Sequence, residues 1–162
     1  MLRDLHELIA PTLPLFSVSN WIPKEAKHPG DERDRIEGDK KVKIIVVDDE
    51  ALIAETVVEI LNQEGFEATC VSSGASAVEL AKEMRPAIIL SDVIMPGLNG
   101  IETGIKIREI VPNCKIILFS GQAATVDLLE QARNQGHRFE ILAKPIRPEH
   151  LISVIRSSLP KQ

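Results

Sequence analysis

"VKIIVVDDEALIAETVVEILNQEG", residues 42–65, changes its periodicity halfway along. Residues 42–48 form a continuous β-branched run, as expected of a strand buried on both faces. Beyond it, Leu52, Val57, Ile60 and Leu61 fall at helical spacing, and Gly65 is a fitting stop. The stretch therefore predicts a βα unit. An acidic pair, Asp48 and Asp49, stands at its junction.

The same alternation continues downstream. Residues 66–72 read as a second, less apolar strand. Residues 74–84 read as a helix with Ala75, Val78, Leu80 and Ala81 inward. Strands are expected at 87–92, 114–120 and 139–144, with helices at 100–110, 123–135 and 147–159. Pro148 sits in the first turn of the last helix, where its missing N–H costs nothing. The pattern is (βα)₅. Strands joined through helices are parallel, and right-handed crossovers place helices on both faces. The expected fold is α/β, an open doubly wound sheet of five parallel strands. Ligand sites in such sheets lie beyond the carboxyl ends of the strands.

Upstream, residues 1–41 differ in composition. They hold four prolines and the only tryptophan, Trp21, and end in the charged run "KHPGDERDRIEGDKK". That run has too little apolar surface to offset chain entropy, so an N-terminal extension, largely disordered, is expected there. Within it, residues 2–9 could form two helical turns with Leu2, Leu5, Leu8 and Ile9 on one face. The alternatives are a partner-binding or dimerising arm. Pro11 and Pro14, with Asp4 and Glu7 ahead of them, make the segment a poor signal peptide.

The chain has 162 residues and a net charge of -5. That size fits one domain with residues to spare. The acidic balance argues against sequence-independent DNA binding, which needs a basic footprint. No apolar run reaches the ~18 residues of a membrane span, so a cytoplasmic location is expected. Cys70 and Cys114 lie far apart and belong to no metal-binding pattern, so both read as free thiols.

Polar residues gather at one end of the apolar strands. The first ends in Asp48-Asp49, the third in Ser91-Asp92, the fourth in Ser120-Gly121 and the fifth in Lys144-Pro145. Taken singly, each has an ordinary reading. Asp48 or Asp49 can cap the next helix, Ser120 can belong to a turn, and Lys144 can be solvated. Taken together, parallel strands aim them at one patch. Three close carboxylates repel and favour a divalent cation. A donor set of oxygens alone suits Mg²⁺.

"VVDDE", "SDVIMPGLNG", "FSG" and "LAKP" together resemble the signatures of response regulator receiver domains of two-component systems. The resemblance covers residues 42–159 and implies the flavodoxin-like (βα)₅ receiver fold, with 160–162 as a tail. It implies that Asp92 accepts a phosphoryl group from a sensor histidine kinase. Mg²⁺ would be bound by Asp48, Asp49, Asp92 and the backbone carbonyl of Ile94. Ser120 would bond a phosphoryl oxygen and Lys144 would pair with the group. Gly121 and Pro145 would support them, Pro145 after a cis peptide. Such a protein would catalyse only its own phosphorylation and dephosphorylation.

Many receivers carry an aromatic switch residue at the position of Ile141, and this chain has no tyrosine. Phe139 could serve by a shift of register, or Phe139 and Ile141 could both pack in the core. Only Pro-Lys-Gln follows the last helix, so output is expected through a protein target or a phosphotransfer protein, without direct DNA binding, from a monomer or weak dimer. The face built by the fourth helix, fifth strand and fifth helix, with Asp127, Glu130, Arg133, His150 and Arg156, is the expected contact. Two alternatives are a receiver-like module that is never phosphorylated and an aspartyl-phosphate phosphatase, although "DDEA" lacks the spacing of the latter.

Overall fold

Continuous β-branched runs become central strands because both of their faces are covered. In the computed structural model, which describes residues 40–121 and 125–161, five strands form one parallel sheet. The elements are β1 (Lys43–Val47), α1 (Ala51–Gln63), β2 (Glu67–Val71), α2 (Gly74–Met84), β3 (Ile88–Asp92), α3 (Gly100–Ile110), β4 (Lys115–Ser120), α4 (Thr125–Asn134), β5 (Glu140–Ala143) and α5 (Pro148–Ser158). The sheet order is β2-β1-β3-β4-β5. β1 is paired on both sides, with Val46 opposite Cys70 on β2 and Leu90 on β3.

Alternation along each central strand divides the core in two. Ile44, Val46, Ile88, Leu90 and Ile117 pack with Val57, Ile60 and Leu61 of α1 and Leu151 and Ile155 of α5. Ile45, Val47, Ile89, Ile116 and Leu118 pack with Ala77 and Ala81 of α2, Ile101 and Ile107 of α3, and Ala132 of α4. One face of the sheet thus carries α1 and α5, and the other carries α2, α3 and α4. This is the arrangement that right-handed crossovers impose when the chain reverses direction across the sheet.

Helix starts are set by local chemistry. Asn99 and Glu102 form a reciprocal capping box at α3. Ser73 accepts from the Ser76 N–H at α2. Two inward assignments are corrected by helix phase. Leu52 is 49% exposed and Ala54 takes the buried position; Ala75 is exposed and Ala77 is buried. In α1 the smaller residue takes the position against the sheet; in α2 both residues are alanine and helix phase alone decides. Cys114 is buried and burial pushes its thiol up to about 12, whereas Cys70 is half-buried. Among the described residues no helix is long and apolar enough to cross a membrane. The expected N-terminal extension lies outside the described residues, except Lys40 and Lys41, which are exposed.

Candidate functional site

β1 and β3 are neighbours at the point where the strand order reverses. A crevice opens there beyond the carboxyl ends of the strands. Asp48 and Asp49 follow β1 and Asp92 ends β3, so all three reach the crevice. One carboxylate oxygen from each lies within 4.8 Å of the other two.

The three carboxylates have different surroundings. Asp48 is 2% exposed. Its Oδ1 accepts the Glu50 N–H at 3.0 Å. Its Oδ2 is buried without a hydrogen-bond partner and lies 4.0 Å from Lys144 Nζ, within ion-pair range but beyond a hydrogen bond. Burial pushes the Asp48 carboxyl up to about 6, against the opposing pull of the Glu50 N–H and Lys144. The capping alternative is corrected: Glu50 is the N-cap residue of α1 and no side chain caps the helix, so Asp48 Oδ1 holds only the turn before it while Oδ2 has no hydrogen bond. Asp49 is exposed. Asp92 is half-buried; its Oδ1 accepts the Ile94 N–H at 3.3 Å and its Oδ2 accepts from Lys144 Nζ at 3.0 Å.

A buried carboxylate oxygen without a partner is costly unless a cation or donor meets it. Three carboxylates converging on that oxygen make a hard, oxygen-only donor set, which fits a small divalent cation such as Mg²⁺. The residues present fit the ion that the sequence suggests.

Lys144 reaches this cluster from beyond β5. Its N–H donates to the Ser120 carbonyl at 2.9 Å, which extends the β4–β5 ladder by one step. The Lys144–Pro145 peptide is cis. The Ser120 hydroxyl is hydrogen-bonded to the hydroxyl of Thr125, the buried first residue of α4. Sequence reading missed Thr125. The signal was available as a hydroxyl residue near a helix start; residues 123 and 124, where the expected helix begins, lie outside the described residues. Gly121 is exposed, and a Cβ there would meet Lys144 Cβ only at an ordinary 3.4 Å. Gly100 is the more demanding glycine. A Cβ there would stand 2.1 Å from the Asp92 carbonyl oxygen, while its N–H donates to the Val93 carbonyl at 2.9 Å.

The two candidate switch positions part company. Ile141 does not pack in the core; it is 42% exposed on edge strand β5. Its neighbour Leu142 points into the α1/α5 side of the core, so Ile141 faces the α4 side, where α4 leaves the strand open. Phe139 is half-buried against the core, with the Arg108 guanidinium 4.7 Å above its ring. Arg156 is also reassigned. It pairs with Glu64 at the end of α1 at 2.6 Å and so belongs to the α1–α5 junction. Asp127, Glu130, Arg133 and His150 are exposed.

Comparison with known proteins agrees with this geometry. A family model described as the response regulator receiver domain matches residues 44–156. The chemotaxis protein CheY of Thermotoga maritima is 31% identical over 114 residues, which cover 70% of this chain and 93% of that protein. The DNA-binding response regulator MtrA of Mycobacterium tuberculosis strain H37Rv is 29% identical over 117 residues, 72% of this chain and 50% of the relative. The chain spans about half the length of the MtrA relatives it matches. The solved structure of Vibrio cholerae chemotaxis protein CheY4 at low pH superposes with a TM-score of 0.66 at 26% identity, covering 74% of this chain and 99% of that one.

Proposed function

This chain belongs to the family of response regulator receiver domains, the phosphoryl-accepting modules of two-component signalling, and from that premise we infer that Asp92 is its phosphoryl acceptor. The observation that carries this reading is the position of Asp92: it is the one carboxylate of the cluster that also receives the Lys144 ammonium at 3.0 Å. Residues 42–159 are the receiver in this reading, and the donor is a phosphohistidine of a sensor kinase.

In the transfer, an Asp92 carboxylate oxygen forms a bond to phosphorus while the bond from phosphorus to the histidine nitrogen breaks. The departing imidazole takes a proton from solvent. The product is an acyl phosphate. Asp92 is fixed for in-line approach by the Ile94 N–H on one oxygen and Lys144 on the other. The attack brings a carboxylate toward an anion, and Lys144 offsets part of the charge on the equatorial oxygens. Asp48, Asp49, Asp92 and the carbonyl of Ile94 would hold Mg²⁺. That ion, when bound, supplies further charge neutralisation at the same oxygens.

Ser120 has a second task. A hydroxyl has one proton to donate and two lone pairs. For Ser120 to donate to a phosphoryl oxygen, Thr125 must become the donor in their mutual hydrogen bond, or the pair must part. Either change is felt at the first residue of α4. Phosphorylation then acts as a shift between two arrangements of the β4–α4 junction. Output by contact with a protein target or a phosphotransfer protein follows, in the cytoplasm where sensor kinase domains reside.

Incubation with Mg²⁺ and a small phosphodonor should add a base-labile phosphate to the wild-type protein and none to Asp92→Ala. Equal labelling of the two proteins would remove Asp92 from the role.

A further inference from the structure

The open side of β5 forms a groove of about 370 Å³ against α4. Val126, Leu129, Phe139 and Ile141 give it an apolar floor, and Val126 at 52% exposure is the most exposed of the large hydrophobic residues described. Two of the four exposed large hydrophobics, Val126 and Ile141, thus line a single surface. Its rim is cationic, because Arg133 and Arg138 outnumber Glu130. An apolar floor with a cationic rim fits an amphipathic segment that carries acidic residues beside its apolar face.

The chain itself contains such a segment. Leu2, Leu5, Leu8 and Ile9 recur at helical spacing, and Asp4 falls beside that face, next to Leu8. Neither residue set is absorbed by the phosphotransfer site, and the family match begins only at residue 44.

We propose that the α4–β5 groove is the docking site for residues 2–9 of the same chain, with Asp4, at the edge of their apolar face, against Arg133 and Arg138. Distance permits it. The described chain begins at Lys40, beside the start of β1, and the groove lies three strands away at β5. Three strand spacings amount to about 14 Å. The intervening segment of about 30 residues spans about 30 Å even as a coil. A tether of that length presents the segment at a local concentration in the millimolar range. Docking in cis therefore needs only a weak intrinsic affinity. The proposal goes beyond the phosphotransfer reading and does not rest on it, since the unphosphorylated chain is the species concerned.

The test uses the full, unphosphorylated chain and the methyl resonances of Val126, Leu129 and Ile141, with the core methyls of Ile117 as a control. Combined Leu5→Asp and Leu8→Asp should move the three groove signals and leave Ile117 in place. A synthetic peptide of residues 1–12 added to that variant should return them in a saturable titration. Arg133→Glu should move the same signals, and Asp4→Arg in the same protein should bring them back toward wild type. Groove signals that ignore the Leu5/Leu8 substitutions would overturn the proposal and leave the surface to a separate partner. Signals that follow protein concentration instead would overturn it in favour of a second copy of the chain.

Discussion

Lys144 Nζ lies 3.0 Å from Asp92 Oδ2, an ion pair that spans β4 and joins residues 52 apart in sequence. Parallel strand direction alone makes this possible: both residues leave the sheet at the same end. The pair holds two partly buried charges, and the bare oxygen of Asp48 shares the same ammonium at 4.0 Å. Lys144→Met should therefore slow phosphoryl transfer roughly 10- to 100-fold, the scale of one lost charge-assisted hydrogen bond. Single-turnover transfer from a small phosphodonor measures it. A rate within twofold of wild type would show that the ammonium is dispensable.

Asp48 makes stability depend on pH and metal in a defined direction. Its folded carboxyl titrates near 6 against an ordinary 3.8. The folded state therefore holds this proton more tightly than the unfolded state. The contribution is fully favourable below 3.8 and is lost as pH rises through about 6, a loss of about 3 kcal/mol. Asp48→Asn removes that dependence. In EDTA, the melting temperature of Asp48→Asn minus that of wild type should increase between pH 4 and pH 7. Added Mg²⁺ at pH 7 should stabilise wild type and have much less effect on the variant. Thermal melts across pH, with and without the ion, check both statements.

Gly100 and Gly97 give a contrast within one loop. A methyl on Gly100 collides with the Asp92 carbonyl at 2.1 Å, and backbone must shift to admit it. Gly97 has φ +74 but open space around it. Gly97→Ala should cost about 1 kcal/mol from the left-handed conformation alone. Gly100→Ala should cost more, about 2–4 kcal/mol, the range of severe overpacking. Urea midpoints rank the two, and an equal ranking would contradict the close approach.

Phe139 and Ile141 should separate in the same assay. Phe139→Ala removes a half-buried ring and its Arg108 contact, at a cost of about 2 kcal/mol. With Leu5→Asp and Leu8→Asp in the background, so that residues 2–9 leave the groove free, Ile141→Ser alters an exposed side chain and should stay within about 0.5 kcal/mol. Loss of stability at Ile141 comparable to that at Phe139 would mean that the edge of β5 is covered.

The alternation of 2.0-period and 3.6-period segments made all five βα units legible, since central strands buried on both faces leave no ambiguity of side. The proximity of Asp48, Asp49, Asp92 and Lys144 was legible for a related reason: parallel strands bring their ends together whatever the details of register. Details of phase were not legible. Leu52 and Ala54 both suit a helix, and only the closeness of α1 to the sheet selects the alanine. Ile141 could be read as a core residue because it alternates with Phe139 on one face; that face is only partly covered, so Phe139 is half-buried and Ile141 exposed. Arg156 seemed to face α4, and only the helix packing turned it to Glu64. The Ser120–Thr125 pair joins two elements through a loop, and no periodicity reports such a contact.

The tight seat of Gly100 makes the two sides of the crevice unlike. The start of α3 is seated on the backbone of Asp92 and Val93, which leaves no room for a side chain at Gly100. On the other side of the crevice, the Ser120 hydroxyl is hydrogen-bonded to the Thr125 hydroxyl at the described start of α4. A charge at Asp92 would therefore meet close-packed backbone on the α3 side and a pair of hydroxyls on the α4 side. That asymmetry is built into the site before any partner binds.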